Sequence, residues 1–201
     1  MPGRPLTAPR NANTNRTAVN IEYDAVSDHG GSPITHYNIY IDDGSGGAFS
    51  SPINNGLSLT YSSQSLGLTT GRYYRIKYAA YNVLGESIHS DYVLILMAEL
   101  PLPPASISRV TTGKAGSIQV SWTAPSDDGG TPIRGYQLKL DGVLKYDGRN
   151  SAGITGHTLD NLSLGKDYLI EVFSVNILGL SETPASLTTS AGSVPNRPSR
   201  V

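Results

Sequence analysis

The stretch Ser27–Asp42, SDHGGSPITHYNIYID, returns as SDDGGTPIRGYQLKLD over Ser126–Asp141, 99 positions further on. A unit of about a hundred residues is far longer than the roughly 20–50 residues of a solenoid repeat and matches a small independent domain. The chain is therefore read as one structural unit written twice.

The register of the repeat supports this reading. The 99-residue offset also pairs Pro5 with Pro104, Ile21 with Val120 and Tyr23 with Trp122. Further on, GRYYRIKYAAYNVLGES (Gly71–Ser87) matches GKDYLIEVFSVNILGLS (Gly165–Ser181) at an offset of 94. Unit one is thus expected to carry five extra residues between the two landmarks, placed in the loop-rich stretch Gly44–Gly56. Proline pairs at Pro2 and Pro5, Pro101 and Pro104, and Pro195 and Pro198 mark successive starts. The expected units are 1–100 and 101–194, with 195–201 a linker or the start of a further repeat, and the chain a segment of a longer array.

Each unit is long enough to bury a core without staples. The chain has no cysteine, which removes disulfides, thiolate nucleophiles and cysteine zinc sites. Charged residues make up 15%, against about 25% in average soluble proteins, and this balance leans towards an extracellular or cell-surface protein. A net charge of −1 offers no field for nucleic acid or anionic lipid, so nucleic acid is not an expected partner. The longest apolar run, Tyr92–Ala98, is of strand length, so direct membrane insertion is not expected. No basic-then-apolar leader is read in the opening MPGRPLTAPR.

Apolar residues alternate with polar ones in short bursts separated by Gly, Pro, Asn and Asp, the period of half-buried strands. In unit two the pattern predicts strands over 107–111, 117–123, 133–141, 143–146, 154–159, 166–176 and 185–189. In unit one it predicts 6–9, 18–23, 34–42, 48–53, 59–63, 72–82 and 88–97. Seven short strands per unit call for an all-β fold of two antiparallel β-sandwiches in tandem. Alternation sends Ile118, Val120, Trp122, Tyr136, Leu138, Leu140, Tyr168, Ile170 and Val172 inwards. Their counterparts are Val19, Ile21, Tyr23, Tyr37, Ile39, Ile41, Tyr74, Ile76 and Tyr78. Tyr23 stands where unit two has Trp122, and a buried tyrosine needs a partner for its hydroxyl.

SIQVSWTAPSDDGGTPIRGYQLKL followed by NLSLGKDYLIEVFSVNILGLSE resembles a fibronectin type III domain. The signature residues are Trp122 (Tyr23 in unit one), Tyr136 (Tyr37), and the pairs Leu162 with Tyr168 and Leu68 with Tyr74. The resemblance implies a seven-stranded, Ig-like sandwich and a tyrosine corner, with the hydroxyls of Tyr74 and Tyr168 bonding upstream backbone. The Arg-Gly-Asp tripeptide by which some such domains bind receptors is absent, and Asp147-Gly148-Arg149 has the reverse order in a different loop.

Catalytic chemistry has no foothold. His29, His36, His89 and His157 accompany no nucleophile motif, and no catalytic residue, cofactor or metal site is expected. Asp42 and Asp43 open a glycine-rich loop that lacks the ligand spacing of a calcium loop and reads as a hairpin turn. Asn15 and Asn161 begin sequons that become glycan acceptors only in a secretory compartment.

The positive signal is aromatic. Alternation sends Tyr40, Tyr73, Arg75, Lys77 and Tyr81 outwards in unit one, and Leu169, Phe173 and Val175 in unit two. Such side chains dominate interface hot spots, so one sheet face is the candidate partner-binding face, for a protein or a glycan. The proline-rich junction Glu99–Pro104 reads as a semi-rigid spacer. The expected function is a non-enzymatic structural or adhesive segment of a larger repeat protein. Two alternatives are an accessory module of a secreted enzyme or viral tail, and a segment of an intracellular giant filament protein.

Overall fold

The computed structural model describes residues 1–111 and 113–192. The expected start of a further repeat at 195–201 lies outside the described residues. The chain divides into two compact units, Met1–Glu99 and Leu100–Val201. Each is all-β, with no α-helix among the described residues.

Among the described residues unit two has seven strands: β9 Ser106–Val110, β10 Ile118–Thr123, β11 Gly135–Leu140, β12 Val143–Asp147, β13 Gly156–Leu159, β14 Asp167–Val175 and β15 Ala185–Ser190. They form two antiparallel sheets, β13-β10-β9 and β12-β11-β14-β15. Unit one contains β1 Arg10–Asn11, β2 Asn20–Glu22, β3 His36–Ile41, β4 Ile53–Asn54, β5 Thr60–Ser62, β6 Tyr73–Asn82, β7 Gly85–Glu86 and β8 Val93–Leu96. Its sheets are β1-β2-β5 and β4-β3-β6-β7, with β8 on the free half of β6. All eighteen inward-facing residues named from alternation are buried, in two clusters, one closed within each unit. Burying each large apolar side chain contributes about 1.5–3 kcal/mol, so these layers are the main source of stability.

The buried tyrosine hydroxyls of unit one illustrate how polar groups are satisfied inside the sandwich. The Tyr23 hydroxyl donates to Ser58 O (2.7 Å) and accepts from Asn55 Nδ2 (2.7 Å). That satisfies the condition under which tyrosine replaces tryptophan there. Trp122 Nε1 is buried without a partner among the described residues. Both tyrosine corners form: Tyr74 Oη accepts from Thr69 N (2.7 Å) and donates to Thr69 O (3.0 Å), and Tyr168 Oη accepts from Ser163 N (2.9 Å). Leu68 and Leu162 pack against their respective cores.

The repeated SDxGG turn is held by a buried asparagine at the end of the long strand. Asn82 Nδ2 donates to His29 O (2.7 Å) and Ser32 O (3.1 Å), while its Oδ1 accepts from Leu84 N (2.9 Å). In unit two Asn176 Nδ2 donates to Asp128 O (2.9 Å), and its Oδ1 accepts from Leu178 N (2.9 Å) and Gly179 N (3.2 Å). Asp28, Asp127 and Asp128 each accept a backbone N–H two residues on, closing the turn beneath. The glycines there sit at positive φ, 60° and 83° for Gly30 and Gly31, where a side chain is strained.

Three expectations need correction. The first strand of unit one is Arg10–Asn11, not 6–9. Pro9 has no N–H for a ladder, and the pairing begins where Arg10 faces Glu22 and binds Asp24 (2.9 and 3.0 Å). The 48–53 strand is reduced to a bridge between Phe49 and Asp42 plus the short β4. The five extra residues are a net figure. Ile39 pairs with Ile53 whereas Leu138 pairs with Tyr146, which leaves six more residues in the unit-one hairpin. Unit two then has the longer link to the next strand, and unit one regains two residues around a 3-10 turn at Gln64–Leu66.

Candidate interaction face

The outer face of the β3–β6–β8 sheet in unit one is built by register. β3 pairs with β6 so that Tyr40 stands opposite Lys77 and His36 opposite Tyr81. β8 pairs with β6 so that Leu94 stands opposite Arg75 and Leu96 opposite Tyr73. Residues directly opposite share a face, so Tyr73, Arg75, Lys77, Tyr40, Leu94 and Leu96 all turn away from the core.

Cations and rings alternate along this face. The Arg75 guanidinium lies 5.1 Å from the Phe49 ring centroid and 5.8 Å from that of Tyr92. Lys77 Nζ lies 4.3 Å from Phe49 and 5.6 Å from Tyr40. Each such contact contributes about 0.5–1 kcal/mol at an exposed site. Arg75 is anchored from below: its Nε donates to Asp42 Oδ2 (2.7 Å), its backbone N to Asp42 Oδ1 (2.9 Å), and its guanidinium to Gly47 O. The Asp42 side chain is 1% exposed, so the guanidinium compensates a buried carboxylate. Asp43 accepts from Ser45 N, Ser45 Oγ and Gly47 N, and these bonds hold its carboxyl below the usual range. The acidic pair at 42 and 43 is therefore used inside the loop. Among the described residues no three His, Cys, Asp or Glu side chains gather as a metal site.

Two of the eight expected face residues are not available. Tyr40 points outwards but is buried, because the segment after β7 folds over it. His89 packs edge-on against its ring (4.6 Å), and its hydroxyl donates to Glu86 Oε1 (2.6 Å). Burial, then the bond to Glu86, raises the Tyr40 pKa. Burial also lowers that of His89, helped by Lys77, whose Nζ is 3.4 Å from His89 Nδ1. Val175 is buried opposite Gly135, where the Gly148 carbonyl crosses so closely that a Cβ at 135 would meet it at 1.7 Å.

The remaining six do not form one patch. Tyr73 is 45% exposed and joins Tyr92 and Leu94, each 55% exposed, around Arg75 and Lys77. Tyr81 stacks on His36 (4.6 Å), eight residues further along β6, roughly 27 Å away at strand rise. In unit two Leu169 is exposed, and Phe173 is half-buried with Lys139 Nζ 4.8 Å from its ring centroid. Phe49, Tyr92 and Leu94 are absent from the residues expected on this face. The alternation of Leu94 and Leu96 against buried Ile95 and Met97 carries the signal for β8. Nothing in the sequence shows that Phe49 folds back over β6.

Two seven-strand-type sandwiches in series, each with a tyrosine corner and an exposed sheet face, define the class of Ig-like modular chains. The family model for the fibronectin type III domain matches residues 103–190, which lie in unit two, and unit one repeats that unit's core and tyrosine corner. It is similar to mouse fibronectin type-III domain-containing protein 3A, 28% identical over 89% of the chain and 15% of that protein. A Kelch domain-containing protein of Sulfurisphaera tokodaii is 34% identical over 57% of the chain and 15% of its own length. The chain thus spans about a seventh of these relatives. A two-domain fibronectin type III segment of chicken tenascin shares the fold, with TM-score 0.50 and 19% identity over 92% of this chain and 98% of that one.

Proposed function

We propose that the chain is a non-enzymatic, protein-binding segment of a larger repeat protein, acting at the cell surface or outside the cell. Its contact area is the strip of Tyr73, Tyr92 and Leu94 on the outer sheet of unit one. The observation that carries the reading is that these exposed apolar side chains sit on a pre-ordered base. Arg75 and Lys77 are fixed between rings, and Asp42 fixes Arg75. Binding there costs little side-chain ordering, and aromatic anchors beside arginine are what interface hot spots are made of. The surface placement rests on the low charged fraction, 15%. The similarity to long multi-domain proteins supports the role as one segment among several.

The test is photo-crosslinking from a benzoylphenylalanine placed at Tyr73, with Glu22 on the opposite sheet as control, in the cells that produce the protein. A discrete protein adduct from 73 and none from 22 is expected. No adduct at 73, or the same adducts from both positions, removes the reading.

A further inference from the structure

One end of unit two carries a polar cleft of about 510 Å³, lined by Arg134, Asp147, Arg149, Asn150, Ser151 and Ile177 among others. That volume falls within the roughly 300–1,000 Å³ of small-ligand sites. Arg149 is held along one edge by Asp147, Nε to Oδ1 at 2.9 Å and Nη2 to Oδ2 at 2.7 Å. This fixes the plane of the guanidinium and leaves Nη1 without a hydrogen-bond partner among the described residues. Arg134 is exposed, and its side chain has no partner among the described residues. Two guanidinium groups thus face one carboxylate, leaving the cleft one positive charge in excess.

The fold does not require these cations. Unit one builds the same corner with the same backbone bonds: Asn55 N to Tyr37 O corresponds to Gly148 N to Tyr136 O, and Thr35 N to Tyr81 O corresponds to Arg134 N to Val175 O. The side-chain cap also corresponds, Gly56 N to Asn54 Oδ1 matching Arg149 N to Asp147 Oδ1. Unit one therefore has Thr35 and Gly56 where unit two has Arg134 and Arg149. The arginines were not placed to close the turn, since a threonine and a glycine close it.

We propose that this cleft binds the carboxylate of an acidic side chain presented on an extended segment of a partner protein. Arginine pairs with a planar carboxylate through two parallel hydrogen bonds, and a guanidinium already oriented by Asp147 loses little freedom in doing so. Asp147 limits the site to a single negative charge, which disfavours a polyphosphate or nucleic acid. The exposed side chains of Ile177 and Leu178, 44% and 45% accessible, give an apolar residue beside the acid a surface to cover. The ligand class rests on the reading of the chain as a protein-binding segment; the location does not.

The experiment is an NMR titration of the full chain with acetyl-leucyl-glutamyl-leucinamide, its glutaminyl analogue, and glucuronate. The glutamyl peptide is expected to move the amide signals of Arg149, Asn150, Ser151 and Ile177. The wild-type chain should bind the glutaminyl peptide, and the variants Arg134→Gln and Arg149→Gln should bind the glutamyl peptide, roughly tenfold or more weakly, the factor carried by a charge-assisted hydrogen bond. Arg134→Gln should keep the wild-type spectrum and Tm, because the side chain is exposed and makes no bond to lose. The proposal is overturned if no signal near the cleft moves, if both peptides bind equally, if glucuronate binds as well as the peptide, or if both variants bind like wild type. Loss of the Tyr73 adduct with intact peptide binding removes only the sheet-face reading; the reverse removes only this one.

Discussion

Replacing Asn176 by alanine should strip unit two of the clamp that ties its SDDGG turn to the end of β14. Asn176 is 2% exposed and makes bonds to Asp128 O, Leu178 N and Gly179 N. A buried group left unsatisfied costs about 1–3 kcal/mol. The Asp128 carbonyl lies in an exposed turn where water can replace part of the loss, whereas the Leu178 and Gly179 amides share one acceptor. The expected cost is therefore roughly 2–3 kcal/mol, or a Tm drop of about 10–20 °C for a domain of this size. The assay is well placed, because the chain has a single tryptophan and Trp122 is in the core of unit two. Urea unfolding followed by its fluorescence should show a lower midpoint at unchanged slope. At a pH low enough to keep the new acid neutral, Asn176→Asp keeps the acceptor and offers one O–H donor in place of the amide's two N–H donors, so its midpoint should fall between wild type and the alanine variant. A loss below about 0.5 kcal/mol for Asn176→Ala would refute the reasoning, since it would mean that the repeated turn does not depend on this side chain.

Tyr74→Phe should cost more than Tyr168→Phe, about 1–2 against about 1 kcal/mol, because Tyr74 Oη both accepts and donates at the corner; equal losses in denaturant midpoints would contradict this. Arg75→Met should destabilise unit one by about 2–4 kcal/mol by leaving the Asp42 carboxylate buried without its cation, whereas Asp42→Asn should cost less, since Arg75 can reach water; tyrosine near-UV circular dichroism would read both. Burial pushes the Tyr23 hydroxyl up to about 12 from its ordinary value near 10. The folded state holds that proton more tightly than the unfolded one, so the contribution is complete below pH 10 and lost as the pH climbs towards 12. Tyr23→Phe should flatten the fall in unit-one stability over that window, and an unchanged slope would count against it.

Alternation placed the core because a buried sheet face admits only apolar side chains at every second position, and Ile118, Val120 and Trp122 obey this in β10. It could not foresee coverage. Tyr40 obeys the same parity, yet His89 and Glu86 close over it from a segment more than 45 residues away in sequence. Leu6 and Ala8 looked like strand, but the backbone has no ladder to offer until Pro9 is passed. The clamp asparagines were invisible for a different reason: a lone Asn at a strand end reads as turn former, and only the fold brings the carbonyls of His29 and Asp128 within its reach. The candidate face was half legible, since Tyr73, Arg75 and Lys77 follow from the β6 period while Phe49 reaches them only through the irregular hairpin of unit one.

Each of the two sandwiches closes around its own aromatic core. Producing Met1–Glu99 and Leu100–Val201 as separate chains tests this most directly. Each should give a dispersed amide spectrum and a single cooperative thermal transition, with Trp122 fluorescence in the second fragment shifting sharply at its own Tm. Collapsed amide dispersion and no cooperative transition in either fragment alone would contradict this, because the cores would then not be self-contained.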